Sequence, residues 1–342
     1  MKQLVIYKED LKHNINKVKT YIKESNKNCT IIGIVKGNGY GLDLIEYSNF
    51  LVNNGIEYLA VATIEEAIEL SEKNICKNIL LLSVINDIKE LEEAVKRNII
   101  LTVGSKANAE AVVELAKKGH NIKVHIKIDT GFGRYGFLYN EHENIVQAIK
   151  SMQAHNVEIE GIYSHLSDAY RKNNKHTLEQ FQNFKSVLQK LEEQNIEIKL
   201  KHICNSPAAL NYPEMHLNAV RIGSAFLGRV CSDNNIGLKK IGSLEVSVAE
   251  VRNVPKKFTI SYLNSYQTKK ETTIAILPIG HIEGYNMGTK EDMFKPIHKI
   301  IRAARELKSL LKKQKLTAVI KDKRYDIIGT IRNVSYSGRC NR

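Results

Sequence analysis

Five short segments of the sequence carry polar side chains that could do chemistry together. They contain Lys36 and Tyr40 in VKGNGYG, Lys127 and Arg134 in HIKIDTGFGRYG, His165 in SHLSDA, Asn205 and Ser206 in HICNSPAAL, and Arg221, Gly223 and Ser224 in VRIGSAFLGR. A lysine in a site with little water can form a Schiff base with an aldehyde cofactor, because its amine is then nucleophilic. Serine hydroxyls and a glycine amide can hold a phosphate, since glycine lets the backbone approach closely. A cofactor with both an aldehyde and a phosphate indicates pyridoxal 5'-phosphate.

Each segment also has an ordinary structural interpretation. A lysine after a strand is usually solvated, a single histidine is more often structural than functional, and glycine-rich segments are mostly turns. The chemical interpretation therefore depends on a fold that brings the five segments together.

Short β-branched runs alternate with amphipathic segments along the first two thirds of the chain. Amphipathic stretches such as 64–73, 106–119 and 177–194 have the apolar spacing of helices. Eight strand–helix units in some 230 residues predict a (β/α)8 barrel, and an open doubly wound sheet is the alternative. The predicted strands are 30–35, 58–62, 79–84, 99–103, 123–128, 158–163, 199–204 and 219–222.

The polar segments lie at the end of a barrel where active sites form. Barrel enzymes carry their chemistry at the carboxyl ends of the strands, and the loops after strands seven and eight commonly hold a phosphate. The five segments coincide with the ends of predicted strands one, five, six, seven and eight. The predicted barrel would therefore place a lysine, a phosphate cradle and a cationic rim around one opening.

A second domain is predicted after the barrel. From about residue 231 the sequence reads SLEVSVAEVRNVP, FTISYLNSYQ and TTIAILPIG, which is typical of antiparallel strands. We therefore expect a barrel over 1–230 and a mainly β domain over 231–342, with which the first residues could also pair. Residues 295–315 predict an inserted basic helix, which would either pack on this domain or bind an acidic partner or membrane surface.

Charge and composition restrict the classes of partner. Of the formal net charge of +14, residues 295–342 carry +11, from 14 Lys and Arg against 3 acidic residues, which leaves +3 for the rest. This distribution argues against a nucleic-acid partner. The sequence has no apolar run long enough for a membrane span and no signal-like N-terminus, and its five cysteines are scattered. These features predict a cytoplasmic protein with reduced thiols.

Taken together, the five segments resemble the motifs of the alanine racemase family, in the same order, and the resemblance runs from about residue 5 to residue 331. It implies a fold-type III barrel that binds pyridoxal phosphate, followed by a β domain. It also implies a head-to-tail homodimer with two shared active sites and an isomerase of class EC 5.1.1, most directly 5.1.1.1. The implied reaction interconverts L- and D-alanine and supplies D-alanine for peptidoglycan.

The resemblance also implies roles for single residues. Lys36 matches the lysine that joins the cofactor and exchanges the Cα proton on one face, and Arg134 matches an arginine on the substrate side. Lys127 matches a lysine that is often carbamylated and then orients Arg134. The matches to cofactor-binding residues are Tyr40, Ser206, Gly223 and Ser224 at the phosphate, Arg221 at the pyridine nitrogen, and His165 as the hydrogen-bond partner of Arg221.

One family position is altered. Racemisation with two bases needs an acid/base on the second face of the substrate, which the family supplies from a tyrosine of the partner subunit. In the corresponding segment, PIGHIEGYN, His281 stands at the tyrosine position and Glu283 at an acidic one. Histidine exchanges protons near neutral pH, but it is shorter than tyrosine. We therefore expect His281 to be a poorer catalytic residue than the tyrosine that it replaces.

The end of the sequence departs from the family completely. Residues 332–342 match no family motif, yet one permitted set of codons for them, read one nucleotide later, encodes G-M-Y-H-I-V-V-D-V-T, which is the family motif. We infer a frameshift near Ile331, which is either a lesion of the gene or an error in its sequencing. It predicts an incomplete β domain with unpaired strand edges and a weakened dimer. Two other hypotheses stay open: a racemase for another amino acid, serine or a basic one, and a non-catalytic remnant that binds the cofactor.

The frameshift predicts what the gene contains. Genomic DNA read through and beyond the final codons should encode, one nucleotide out of frame, the methionine motif and the segment that follows it in the family. A gene in which neither shifted frame continues the family sequence would contradict this inference.

Overall fold

The computed structural model describes residues 1–285 and 316–328 and the backbone of 336–340, which form two compact units. The barrel unit is Tyr7–Ile241, and the β unit is Met1–Ile6 with Gly242–Arg342. The basic helix predicted over 295–315 lies outside the described residues. No helix within these described ranges is long and apolar enough to cross a membrane.

Eight parallel strands form the barrel, as predicted. Their order around the sheet is β4-β3-β2-β10-β9-β8-β6-β5, and a parallel bridge between Leu80 and Ile100 joins its two ends. A short ninth strand, β7 (Phe137–Leu138), pairs with β6. The barrel strands are β2 (Thr30–Ile34), β3 (Tyr58–Val61), β4 (Asn78–Leu81), β5 (Leu101–Val103), β6 (Lys123–Asp129), β8 (Glu158–Tyr163), β9 (Leu200–His202) and β10 (Ala219–Ile222).

The helices between the strands follow from apolar spacing and from polar caps. In the last long one, Phe181, Phe184, Leu188 and Leu191 are buried at the three- and four-residue spacing of one helical face. Side chains of Thr63, Ser105 and Asn174 accept backbone amides at helix starts, which satisfies donors that the first turn leaves unpaired. The helices are α1 (Lys8–Ser25), α3 (Leu44–Asn53), α4 (Ile64–Glu72), α5 (Ile88–Lys96), α6 (Lys106–Lys117), α7 (His142–Ala154), α8 (Lys175–Glu193) and α9 (Ser206–Asn211), and α2 (Lys36–Gly41) is a left-handed turn.

The β unit is antiparallel, as the alternating sequence predicted. The first strand, β1 (Lys2–Ile6), pairs with β11 (Gly242–Val246), and two short strands, β13 (Thr259–Ile260) and β14 (Tyr266–Gln267), form a hairpin. The main sheet has the order β12-β15-β18-β17-β16. Its strands are β12 (Glu250–Val254), β15 (Thr272–Leu277), β16 (Thr317–Ile320), β17 (Lys323–Ile328) and β18 (Tyr336–Cys340).

The end of the sequence takes part in this sheet. β18 lies within it, paired with β15 on one side and β17 on the other. Backbone amides and carbonyls pair whatever the side chains are, so a segment that departs from the family motif can still join a sheet. The sheet ends at β12 and β16. The unpaired strand edges and the weakened dimer that the departure after Ile331 predicts stay predictions.

Candidate active site

A cavity of about 580 Å³ lies in the barrel unit at the carboxyl ends of its strands. All the residues that the sequence predicted on the barrel line it, namely Lys36, Tyr40, Lys127, Arg134, His165, Asn205, Ser206, Arg221, Gly223 and Ser224. Segments separated by up to 188 positions along the chain therefore meet at one opening.

The turn that carries Lys36 has a left-handed backbone. Gly37, Asn38, Gly39 and Tyr40 all have φ between 52° and 67°. This conformation costs little at glycine and more at Asn38 and Tyr40. Glu66 at the start of α4 stabilises the turn, because one carboxylate oxygen accepts the amides of Gly37 at 2.6 Å and Asn38 at 3.0 Å. The carboxylate thus fixes the backbone that follows Lys36.

A cluster of hydrogen-bond donors lies on the α9 side of the cavity. The Ser206 hydroxyl oxygen accepts the amides of Gly223 at 3.0 Å and Ala225 at 3.3 Å, so its own proton remains available to a ligand. The Tyr40 hydroxyl approaches Gly223 so closely that a Cβ there would lie 2.3 Å from it. Burial raises the pKa of Tyr40 to about 12, so its hydroxyl is a donor at neutral pH. These donors fit a phosphate group.

Arg221 is held at the base of the cavity by five hydrogen bonds. Its NH1 donates to Nδ1 and to the backbone oxygen of His202, at 2.8 and 3.3 Å. Its NH2 donates to the backbone oxygens of Ser164 at 2.7 Å and Ile203 at 3.0 Å, and to Nδ1 of His165 at 3.3 Å. Burial lowers the pKa of Arg221 to about 10, which still leaves the guanidinium charged at neutral pH.

The charged forms of the groups around Arg221 are disfavoured. Burial first, and then the charges of Arg221 and Arg134, hold the pKa of Lys127 well below its usual range. Burial and the charge of Arg221 do the same to His165. The Lys127 amine lies 4.3 Å from the centre of the Tyr163 ring. The cavity therefore has permanently charged guanidinium groups beside a weakly basic amine and a neutral imidazole.

Two family models match almost the whole chain. The alanine racemase N-terminal domain matches residues 6–230, and the alanine racemase C-terminal domain matches residues 241–332. The chain belongs to the alanine racemase family. Members of this family are isomerases that depend on pyridoxal phosphate. The match of the C-terminal model ends at residue 332, next to the position where the sequence departs from the family motifs.

Individual relatives agree with this membership. The alanine racemase of Methanococcus maripaludis is 38% identical over 282 residues, which cover 81% of this chain and 75% of the relative. That of Clostridium tetani is 38% identical over 270 residues, or 78% and 69% of the two chains. The solved alanine racemase of Clostridium difficile 630 superposes with a TM-score of 0.82 at 28% identity, over 100% of this chain and 83% of the other.

The fold itself does not determine the substrate. A solved histidine racemase from Leuconostoc mesenteroides superposes with a TM-score of 0.79 at 22% identity, over 99% of this chain and 84% of the other. At this identity the likeness shows the fold alone.

His281 lies in the β unit and not in the barrel unit. It begins a short 3₁₀ turn, His281–Glu283, and its Nδ1 lies 3.1 Å from the backbone oxygen of Tyr285. Glu283 accepts Lys2 Nζ at 2.5 Å and the Gly280 amide at 2.8 Å, and the hydrogen bond from Lys2 lowers the pKa of its carboxyl. The acidic residue is therefore engaged within its own unit.

Sequence reasoning missed several residues of this racemase site. Tyr163 lines the cavity and ends β8, and Glu66 fixes the turn after Lys36. The spacing of Thr63 and Glu66 is that of a capping box, which could have identified Glu66 as a residue that accepts backbone amides. Tyr163 precedes the SHLSDA segment directly, so the rule that located His165 could have included it.

Glu66 should control both stability and cofactor binding. Each of its two oxygens accepts amides, from Gly37 and Asn38 on one and from Ala62 on the other, so the NH₂ of Glu66→Gln would face backbone donors. We expect this substitution to lower the free energy of unfolding by about 1–3 kcal/mol and to weaken pyridoxal phosphate binding.

The matched control is Glu65→Gln, which removes the same charge from an exposed position one residue earlier. It should change the free energy of unfolding by less than about 0.5 kcal/mol. Urea denaturation measures the free energy of unfolding, and titration with pyridoxal phosphate measures cofactor binding. Equal behaviour of the two variants would show that Glu66 does not hold the turn.

Proposed function

We propose that this chain interconverts L- and D-alanine with pyridoxal phosphate bound in the barrel cavity, and that Lys36 is the residue that holds the cofactor covalently. The observation that carries the proposal is the convergence, in a member of the alanine racemase family, of the lysine, the phosphate donors and the buried arginine on one cavity. When bound, the cofactor withdraws electrons from the substrate Cα and so makes its proton removable.

We assign the phosphate to the cluster of Tyr40, Ser206, Gly223 and Ser224, in which the hydroxyls of Tyr40 and Ser206 would donate and Gly223 leaves room. A Cβ at Gly223 would occupy the space next to the Tyr40 hydroxyl, so glycine is needed for this cradle. The Ser206 hydroxyl has its acceptor lone pairs engaged by two amides, which directs its proton to a ligand.

We assign Arg221 to the pyridine nitrogen of the cofactor, with His165 as its neighbour. A guanidinium with a pKa of about 10 keeps its proton at neutral pH and can only donate a hydrogen bond. The ring nitrogen would then gain no proton from it, and the ring would withdraw electrons less completely. This favours return of the proton to the Cα, as racemisation requires.

We assign the substrate side of the site to Arg134 and Lys127. A positive guanidinium at Arg134 suits the carboxylate of an amino acid. The Lys127 amine, with its pKa held low by burial and by two arginines, can react with carbon dioxide to form a carbamate and release a proton. The carbamate would replace a weak base by an anion that attracts Arg134.

The Lys36 amine would remove and return the proton on one face of the substrate Cα. The other face needs a second group, and we assign it to His281 of a second copy in a head-to-tail homodimer. Misplacement of a catalytic group by about 1 Å can lower the rate on the order of a hundredfold, so the shorter side chain predicts a slow enzyme. A racemase for serine or a basic amino acid, or a chain that binds the cofactor without turnover, are the competing proposals.

Domain division, assembly and location are also proposals. The compact units support a barrel domain joined to a β domain near residue 241. Exposed aromatic rings of Phe132, Tyr135 and Tyr170 after the barrel strands support coverage by a second copy. Free thiols at Cys29, Cys76, Cys204 and Cys231 support a cytoplasmic location.

The attachment to Lys36 can be trapped. Purified chain incubated with pyridoxal phosphate should show the visible absorbance of an imine, and borohydride should fix the cofactor on the peptide that contains Lys36. Lys36→Arg should remove both signals, whereas Lys106→Arg, at an exposed helix position, should keep them. Mass spectrometry of the reduced protein identifies the residue, and an adduct on Lys127 instead would contradict the assignment.

The rate should depend on His281 and on the reading frame after Ile331. Loss of a well-placed acid/base lowers a rate by about 10²–10⁴-fold, so D-alanine formation from L-alanine should be far slower than in an intact relative. We expect His281→Tyr alone to leave the rate low and His281→Tyr with the shifted frame to raise it. Robust turnover by the unsubstituted chain would show that His281 suffices as the acid/base on the second face of the substrate.

A further inference from the structure

A row of hydrogen-bonded polar side chains crosses the interior of the barrel below the cavity. It comprises Tyr58 on β3, His125 on β6, Glu160 on β8, His202 on β9 and Arg221 on β10, and we call it the interior chain. The Tyr58 hydroxyl donates to Glu160 Oε2 at 2.6 Å, although β3 and β8 are not neighbours in the sheet. This bond therefore spans the barrel interior.

The chemistry of arginine determines the direction of every hydrogen bond in the interior chain. A guanidinium only donates, so His202 Nδ1 must accept from Arg221 NH1 at 2.8 Å. A neutral His202 then carries its proton on Nε2 and donates to His125 Nδ1 at 2.9 Å. His125 in turn carries its proton on Nε2, which can donate to Glu160 Oε2 at 3.1 Å and to the Tyr58 hydroxyl oxygen at 3.0 Å.

The charges agree with this direction. Burial, and then the charge of Arg221, hold the pKa of His202 well below its usual range, and burial also lowers the pKa of His125. Burial alone would raise the pKa of Glu160, but the hydrogen bonds from His125 and Tyr58, together with nearby positive charge that includes Lys123, lower it. The interior chain is thus a cation and an anion joined by two neutral imidazoles.

Arg221 is connected to the carboxylate of Glu160 through the interior chain. Within residues 1–285 and 316–328, its guanidinium makes no ion pair with a carboxylate, and its remaining acceptors are backbone oxygens and His165. The series of hydrogen bonds that begins at Arg221 ends at the carboxylate of Glu160. Glu160 lies beside a second cavity of about 440 Å³ at the amino ends of the strands.

The barrel is shaped around the two imidazoles. A Cβ at position 161 would lie 2.5 Å from the His125 ring, so Gly161 makes the room that this ring occupies. The Tyr163 ring stacks on the His202 ring at 4.9 Å between centroids and 3° between planes. Both histidines are fully buried, and these contacts restrict their rings to the orientation that the interior chain requires.

We propose that Glu160 is a positioning residue for Arg221: its carboxylate accepts the Nε2 proton at the far end of the hydrogen bonds that Arg221 begins, and through His125 and His202 it holds the guanidinium at the base of the cavity. The consequence for the cofactor rests on the proposed function, in which Arg221 contacts the pyridine nitrogen. The proton positions on the two imidazoles are a property of the cofactor-free protein.

The first test reads those proton positions in the cofactor-free chain. NMR of protein with ¹⁵N-labelled histidine rings, assigned with His125→Gln and His202→Gln, should show Nε2–H and an unprotonated Nδ1 in both rings. Glu160→Gln keeps an acceptor but removes the charge, so the Nε2–H signals of both histidines should shift. A shift at His202 would show transmission, because its ring lies beyond that of His125 in the interior chain.

Glu158→Gln is the matched control. Glu158 lies two residues earlier on the same strand, is exposed, and pairs with Lys123 at 3.2 Å, the same lysine that lies 4.0 Å from Glu160. It should leave both histidine signals unchanged. A proton on His202 Nδ1, or a His202 signal that ignores Glu160→Gln, would overturn the proposal. If Glu160→Gln does not fold, Tyr58→Phe serves instead, since Glu160 without the Tyr58 proton should accept more strongly from His125. The signal of His202 then decides the test, because the Tyr58 hydroxyl lies 3.0 Å from His125 Nε2 and its loss affects His125 directly.

The second test reads the effect on the cofactor. Titration with pyridoxal phosphate should show an affinity roughly 2- to 30-fold weaker and a shifted visible band in Glu160→Gln, and neither change in Glu158→Gln. A purely structural role would lower the melting temperature and leave the band of the bound cofactor where it was, which would refute a positioning role. If the unsubstituted chain binds no cofactor, the proposed function fails, whereas the NMR result still decides the proton positions.

Discussion

The buried guanidinium of Arg221 is the constraint on which the rest of the site depends. A charge removed from water is tolerated only when its hydrogen-bonding groups find partners, because desolvation costs several kcal/mol. Arg221 meets this requirement with three backbone oxygens, from Ser164, His202 and Ile203, and with two imidazole nitrogens. The ends of β8 and β9 must therefore lie where the guanidinium can reach them. The barrel positions the arginine, and the arginine in turn restricts how the strands can end.

The same charge adds to the effect of burial on the pKa values of its neighbours. Burial is the larger cause of the low pKa values of Lys127, His165 and His202, but Arg221 contributes to each. Neutral imidazoles have a lone pair with which to accept from the arginine, which charged ones would lack. One permanent cation is thus compatible with several titratable groups in a small space because burial and the cation together disfavour their charged forms. This arrangement also explains why the anion that balances it can lie at the other end of the barrel, at Glu160.

The sequence predicted the barrel because parallel strands are buried on both faces and read as continuous apolar runs. It also predicted which residues meet at the cavity, since the carboxyl ends of the strands converge whatever their separation along the chain. It did not predict the partners across the interior. Tyr58 and Glu160 are 102 positions apart on strands that are not adjacent, and only the closed barrel brings them together. A signal did exist, because His125, Lys127 and Asp129 alternate along β6 and interrupt an otherwise apolar strand.

The proposed second acid/base, His281, has a different kind of structural support from the barrel residues. The barrel residues stand on strand ends, whereas His281 stands on a short turn whose contacts are local. A carbonyl oxygen only accepts, so the bond to Tyr285 places the proton of neutral His281 on Nδ1 and the lone pair on Nε2. Nε2 of this tautomer can accept a proton, and it can donate a proton only after it has accepted one. A tyrosine, as a neutral phenol, is instead a donor first. In the proposed role of second acid/base, His281 would therefore differ from a tyrosine in the order in which it accepts and donates a proton as well as in its reach.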